Sequence, residues 1–531
     1  MATFPKKLCP AFFLVFLAGI LLSPLVFAQG SFIQGIHDYQ VFPYETTRGK
    51  IPFSVKGDGP LTATVTDMVT GEIVARGQWI IDPKARPLSE VPEDASTPLR
   101  TSLHNLYIDR VPINLDGDYR VEFRKGSKTQ AFEHILIGEL WIVGGGIQAI
   151  GAPSRKVPRD NPFIHIVKDD KWQEAQAPLF QPYEDIPRFH ELVSPWLFAA
   201  NEYSLNTGIP VGILGIARPN APIRSFWDAS TTEMPEFKSL VEKYGQKAHY
   251  FIWYHGGADA NPFRWQYYEE YLNRSIEAIR GYAKNPDMKV VVVQMSHLEY
   301  PQGIPPQPYL GRIRAAQWRV ATNDPLAIMV PSLQFNLRDR FRLREDTVFL
   351  LGQDVGRILL ESKESRELRW FGPKLLKAQF ADETRRRINV EFENSQDLII
   401  KEERIQDWLV SDSNHQGYSE APAPFERDGI LYLDLKGGEA EAVMEKDENG
   451  LTRIKLKKNG FIPVISVGVR GQNLIRIDLH APAEPDAQLW YALWDNSTGS
   501  VLDERSRYLG TFGPVPIQKA EPKKKIFHST Q

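Results

Sequence analysis

Five apolar runs constrain this chain more than any other feature. They are LWIVGG at 140–145, PVGILGIA at 210–217, HYFIWYHG at 249–256, KVVVVQMS at 289–296 and LAIMVPSL at 326–333. None alternates polar with apolar, so each reads as a strand buried on both faces. Helical stretches lie between and after them: ELVSPWLFAANEYS, PEFKSLVEKYGQ, FRWQYYEEYLNRSIEAIRGYA, LGRIRAAQWRVA and GQDVGRILLESKES. Strand–helix alternation of this kind predicts a parallel sheet covered by helices, with ligands received beyond the carboxyl ends of its strands. Those ends are Gly144–Gln148, Ala217–Asn220, His255–Asp259, Ser296–Glu299 and Gln334–Asn336.

The texture on either side is different. PLTATVTDMV, EIVARGQWII and DYRVEFRKG before the runs, and RRINVEFEN, ILYLDL, LIRIDLHA and QLWYALWD after them, alternate with period two. That pattern predicts antiparallel β-sandwiches. The organisation expected is an N-terminal β-sandwich over 29–137, an α/β domain over 138–365, a C-terminal β-sandwich over 366–515 and a polar tail over 516–531.

Residues 1–28 stand apart. Lys6 and Lys7 precede an apolar run from Ala11 to Leu22, and Val26 and Ala28 are the small residues before a cleavage point at Gln29. This is the layout of a secretory signal peptide, with a retained anchor as the alternative. The only cysteine, Cys9, lies inside it. A mature chain without cysteine has no disulfide, thiolate nucleophile or cysteine metal site. Together these features predict a secreted or periplasmic protein of a bacterial envelope. A net charge of −3 supplies no global field toward nucleic acid or an anionic membrane surface.

Several segments, in this order, carry a resemblance. GELWIVGGGIQ at 138–148 is similar to G-E-V-W-L-C-S-G-Q-S-N, and PVGILGIARPNAPIRSFW to P-V-G-L-I-x-x-x-W-G-G-T-P-I-x-x-W. WYHGGADA at 253–260 is similar to W-Y-Q-G-E-S-N-A, GRIRAAQ to the L-R-E-A-Q helix, and VGRILL to V-G-x-R-L-A. These patterns are those of the sialate O-acetylesterase family of carbohydrate esterases, and WYALWDN with LGTFGPVPI extends the likeness to the C-terminal region. The resemblance implies an SGNH-hydrolase-like, flavodoxin-like core flanked by two β-sandwiches, and carbohydrate O-acetylesterase chemistry on acetylated sugars.

That chemistry needs an attacking serine, a histidine, an orienting carboxylate and oxyanion donors. Laid on the family patterns, Ile147 falls at the serine. The histidine falls at Val348 counted back from VGRILL, or at Arg342 counted forward from IMVPSL; its carboxylate partner falls correspondingly at Glu345 or Asp339. No histidine occurs between His297 and His415. The glycine pair of the second motif becomes Pro219 and Asn220, and proline has no N–H to donate. The asparagine of the third becomes Asp259, a carboxylate that would repel an oxyanion. The family's mechanism is therefore expected not to operate, and Ile147, Asn220, Asp259 and Val348 mark the degenerate positions.

Other chemistry remains open at the same face. His255, Asp259 and His297 end neighbouring strands; such a set suits a divalent metal or acid–base work, although its spacing is no zinc signature. As a rule such residues are polar loop groups bonded to backbone or water. Gly146, Gln148, Arg218, Asn220 and Arg224 complete the candidate ligand-binding set. Arg224 has the alternative of pairing with a surface carboxylate. Trp265, Tyr267 and Tyr268 crowd one helix start, Trp265 and Tyr268 on one helical face by spacing; sugar rings stack on such residues, whereas Trp141 and Trp253 read as core. No cofactor is expected. The readings in competition are a non-catalytic carbohydrate-binding or assembly protein, a hydrolase relocated to His255 and Asp259, and a structural partner in an envelope complex.

Overall fold

The apolar runs form five parallel strands in the computed structural model. It describes residues 31–521 except 46, 86–98, 102–105, 115–116, 181–190, 232, 300–306, 340–341, 366–369, 402–404, 414–415, 421–424, 428–429, 433–439, 447–451 and 460. The proposed signal segment and the end of the tail lie outside the described residues.

The central elements are β1 (Lys128–Gly145), α1 (Ile147–Ile150), α2 (Pro195–Thr207), β2 (Val211–Ala217), α3 (Glu233–Tyr244), β3 (Tyr250–Tyr254), α4 (Tyr268–Tyr282), β4 (Lys289–Val293), α5 (Tyr309–Asn323), β5 (Ala327–Val330) and α6 (Glu345–Ser365). Parallel pairing runs β2–β1–β3–β4–β5, and strand Ile164–Lys168 extends the sheet beyond β2. Strand order reverses between β1 and β3, so the crevice beyond their carboxyl ends is the switch point where open sheets of this kind receive ligands. All residues of β3 are buried, as are Val290–Val293, in keeping with helices on both faces. Ser194 caps α2 by accepting from the Trp196 N–H, with Pro195 at the first helical position.

β1 is longer than its sequence pattern suggests. Its first half pairs antiparallel with Tyr119–Lys125, and its second half pairs parallel with β2 and β3. One strand of 18 residues therefore serves both the N-terminal sheets and the central sheet. Its burial follows: partly exposed from Lys128 to His134, wholly buried from Ile135 onward. In the N-terminal layers Phe53 packs edge-on against Trp79 and Phe123, with ring centroids 5.1 and 4.8 Å away.

After α6 the chain returns to antiparallel pairing. Lys374–Phe380, Arg387–Glu393, Leu474–Leu479 and Val464–Val469 form one sheet; Trp408–Ser411, Gln488–Tyr491 and Phe512–Pro516 form another. Trp408, Tyr491, Phe512 and Phe392 lie in their shared core.

This C-terminal unit docks on the central sheet through polar contacts. The fully buried guanidinium of Arg314, on α5, donates to the carbonyls of Ser296, Asp495, Ala492 and Trp494 at 3.2, 3.5, 3.0 and 2.6 Å. Gln294 donates to the Arg314 and Thr511 carbonyls and accepts from the Thr511 N–H. Asp495 accepts from the Leu310 N–H at the start of α5. A Cβ at Gly311 would lie 1.5 Å from the Leu493 carbonyl oxygen, so only glycine permits this approach.

Candidate functional site

Backbone geometry places the site. At the end of β1, Gly145 has φ +138°, and a Cβ there would stand 1.9 Å from the Tyr254 carbonyl oxygen. The Gly146 N–H donates to that same oxygen, and the Gly145 carbonyl accepts from the Arg218 N–H. The three carboxyl ends are thereby drawn together, and α1 starts one residue later with Ile147, half-buried against the central core. The turn that could present a nucleophile presents a hydrocarbon instead.

Gly146, Gln148, His255 and Asp259 meet here. A Cβ on Gly146 would touch Gln148 Oε1 at 3.3 Å and His255 Cδ2 at 3.7 Å; one on Gly257 would be 3.5 Å from Gln148 Nε2. His255 is fully buried, its ring nearly parallel to Trp253 and Tyr268 at centroid distances of 5.1 and 6.0 Å, with Phe226 edge-on. Its Nε2 lies 2.8 Å from the Ala221 carbonyl oxygen. A carbonyl only accepts, so Nε2 carries the proton and Nδ1 faces its surroundings without a partner. Burial pushes the imidazole down to about 4, so it is neutral at pH 7.

Asp259 is equally enclosed. Its Oδ2 accepts from the Ile223 N–H at 2.8 Å and stands 3.9 Å from His255 Nε2, beyond hydrogen-bond reach. Burial pushes its carboxyl up to about 7. The His255 backbone is clamped as well, its carbonyl accepting from the Tyr268 hydroxyl and Gln317 Nε2, both at 2.7 Å. Such a centre holds a shape; it offers no exposed base to activate a water or hydroxyl.

The other candidates diverge. Arg218 pairs with Glu236 and lies over the Phe237 ring. Asn220 occupies the left-handed region at φ +56°, while Arg224 Nε donates to Asp228 at 2.6 Å on the surface. His297 Nδ1 lies 3.0 Å from the Leu333 carbonyl oxygen. Among the described residues no group of three or more His, Cys, Asp or Glu side chains could hold a metal ion.

Both sequence positions for the missing imidazole are now located. Val348 is buried in α6. Arg342 donates to Asp339 from Nε at 2.7 Å and from its backbone N–H at 2.9 Å, so that carboxylate orients a guanidinium. Glu345 accepts from the Arg155 N–H.

The helix expected from Phe263 onward starts only at Tyr268; Trp265–Tyr267 is a 3₁₀ turn. Pro262 and the Asn261 side chain, which accepts from the Phe263 N–H, delay it. Trp265 and Tyr268 consequently share no helical face: Tyr268 is sealed under His255, whereas Trp265 stacks with Arg312. Sequence reasoning also missed Gln317, which the RAAQ run signals, and an open cleft of about 1080 Å³ between the 153–161 segment and the start of α6. That cleft is lined by Ser154, Arg155, Lys156, Arg159 and Arg338 among others, and none of its described lining residues is a histidine.

Comparison with known proteins fits this geometry. Residues 134–361 match the family profile of carbohydrate esterases described as sialic acid-specific acetylesterase. A solved carbohydrate acetylesterase from Xanthomonas citri superposes with a TM-score of 0.61 at 12% identity, over 90% of this chain and 97% of that one. A protein from Arabidopsis thaliana is 19% identical, with a TM-score of 0.37 over 42% of this chain and 98% of its own. No curated protein sequence matches significantly. Residues 134–361 of this chain thus resemble the sialic acid-specific acetylesterase family of carbohydrate esterases.

Proposed function

We propose that this chain is an exported carbohydrate-binding relative of the acetylesterases that does not itself hydrolyse esters. One observation carries the reading: the β1–β3 switch point offers a hydrocarbon, Ile147, where a nucleophile would stand, and its imidazole, His255, is wholly shielded from solvent. Acyl transfer needs a hydroxyl within hydrogen-bond reach of its base, and donors aimed at the developing oxyanion. Pro219 contributes no N–H, and Asp259 Oδ2 is already taken up by the Ile223 N–H. A relocated hydrolase built on His255 and Asp259 would need a neutral, exposed histidine; burial and the Ala221 carbonyl oppose that use.

The test uses chain purified from Gln29 onward, incubated with acetylated sugars and p-nitrophenyl acetate, with and without divalent metals. Acetate release is expected to match a heat-denatured control, while a glycan array retains the protein. Turnover that disappears in His255→Ala would refute the non-catalytic reading. Absence of any glycan retention would refute the binding reading.

A further inference from the structure

The open cleft between the 153–161 segment and the start of α6 collects cations from two walls. Arg155, Lys156 and Arg159 line it on one side, Arg338 and Arg344 on the other. The chain as a whole has a net charge of −3, so this concentration is local. Hydrogen bonds fix the first wall. The Ser154 N–H donates to the Glu191 carbonyl, and its Oγ accepts from the Lys156 N–H. The Arg155 N–H donates to Glu345 Oε1 at 2.8 Å and so ties one wall to the other.

Most acids at the cleft are already committed. Asp346 pairs with Arg344 at 3.3 Å, and Asp339, next to Arg338, pairs with Arg342 at 2.7 Å. Glu345 holds the Arg155 N–H, and Glu191 is itself partnered. Among the described residues the guanidinium groups of Arg155, Arg159 and Arg338 have no acidic partner, and Lys156 Nζ lies over the Phe349 ring at 4.5 Å. Asp160 is the one lining carboxylate left to set against these four cations. Unmatched charge of one sign in a concave site draws ions of the other sign.

The spread of the cations decides the size of the anion. Four residues of chain hold Arg155 and Arg159 up to ~13 Å apart, and Arg338 stands on the opposite wall. Each guanidinium can grip carboxylate or sulfate oxygens through paired N–H donors. A single small acid cannot reach all of them, whereas a chain with acidic groups on successive sugars can.

We infer that this cleft binds a stretch of acidic polysaccharide through several carboxylate or sulfate groups at once. The inference rests on the carbohydrate-binding reading above and names the ligand class and the surface that meets it.

Native gels cast with polygalacturonate, dextran sulfate or neutral dextran test it on the full mature chain. Retardation is expected in an acidic gel, weakening as salt is added, and none in dextran. Whichever acidic gel retains the chain tells carboxylate from sulfate. Arg159→Glu and Arg338→Glu, both at exposed positions, should each weaken retention about tenfold. Arg48→Glu, exposed on the N-terminal sheet, should leave it unchanged. Circular dichroism checks folding, and Arg159→Gln keeps the test decisive if Arg338→Glu unfolds. Equal retardation of cleft variants and parent would overturn the cleft while leaving carbohydrate binding intact, as would retardation by dextran alone. Galacturonic acid monomer that displaces the polymer at equal sugar concentration would overturn binding at several points. Tighter retention by polyuridylate than by either acidic glycan would overturn the polysaccharide assignment. No retardation in any gel would remove both readings.

Discussion

The two ends of the β1–β3 strand pair treat buried polar groups in opposite ways. At the amino end, Glu139 is buried, yet its carboxylate accepts from the Tyr44 and Tyr203 hydroxyls at 2.9 and 2.8 Å and from the Trp141 indole at 3.2 Å. Lys363, at the end of α6, lies 3.4 Å away. Burial alone would raise this carboxyl; His249, Lys363 and the hydrogen bonds outweigh it and hold it below the usual carboxylate range. At the carboxyl end, Asp259 has one backbone donor and stays high, and His255 keeps one nitrogen without a partner. A fully satisfied buried network stabilises a fold, whereas a sparsely satisfied one marks a place once shaped for something other than stability. The amino end joins N-terminal sheet, central sheet and α6; at the carboxyl end the Asp259 and His255 side chains bond, among the described residues, only to the backbone of the Ala221–Ile223 segment.

If that contrast holds, the largest effect belongs to Glu139. Replacing it by Ala leaves three donors and a lysine without their acceptor, and about 3–5 kcal/mol of stability should be lost. Glu139→Gln should lose less, because one carbonyl oxygen remains to accept. Urea unfolding measures both. A cost below about 1 kcal/mol for the alanine variant would put the two ends on an equal footing.

The carboxyl end should show its strain through pH. Asp259 holds its proton up to about 7 in the folded chain, against 3.8 as its ordinary value. The folded state thus binds the extra proton between those limits, and stability falls as pH rises through them. Asp259→Asn cannot ionise and still offers an oxygen to the Ile223 N–H. Its stability relative to the parent should therefore climb from pH 4 to pH 7, by on the order of 2–4 kcal/mol, then level off. His255, shifted the opposite way, is present in both proteins and cancels. Parallel stability curves for the two would show that the Asp259 carboxyl is not desolvated.

Much of this was legible beforehand, for reasons that differ by element. Runs such as VVVV at 290–293 are buried on both faces, so the parallel sheet followed from hydropathy alone. The continuity of β1 did not. HILIGELW reads equally well as two strands meeting at Gly138, and only the pairing on both sides makes it one. The meeting of Gly146, Gln148, His255 and Asp259 could be anticipated from strand ends. The closure of His255 could not, because Phe226, Trp253 and Tyr268 come from three separate segments. Arg342 and Asp339, one of the two pairs that residue counting offered for an imidazole and its carboxylate, form an ion pair that the count could not reveal.

A smaller effect tests the docking of the C-terminal unit at the switch-point end. Arg314 spreads its donors over four carbonyls on two segments, a pattern an ammonium on a shorter stem cannot reproduce. Arg314→Lys should cost roughly 2 kcal/mol, read as a lower urea midpoint. An unchanged midpoint would show that Gln294 and Asp495 suffice to hold the unit.

The smallest expected effect is the most informative about the carboxyl end. Ile147→Ser restores a hydroxyl at the head of α1 and sheds part of a half-buried side chain, a loss of about 1 kcal/mol. Turnover should not appear. A serine hydroxyl attacks only when a base removes its proton, and the nearest imidazole already gives its Nε2 proton to the Ala221 carbonyl and resists accepting another until the pH nears 4. Initial rates with p-nitrophenyl acetate should thus equal those of the parent, and no burst of p-nitrophenol should accompany mixing. A burst stoichiometric with protein would mean that Nδ1 of His255 can reach the new hydroxyl after a modest shift of α1. The carboxyl end would then be one substitution short of a working site.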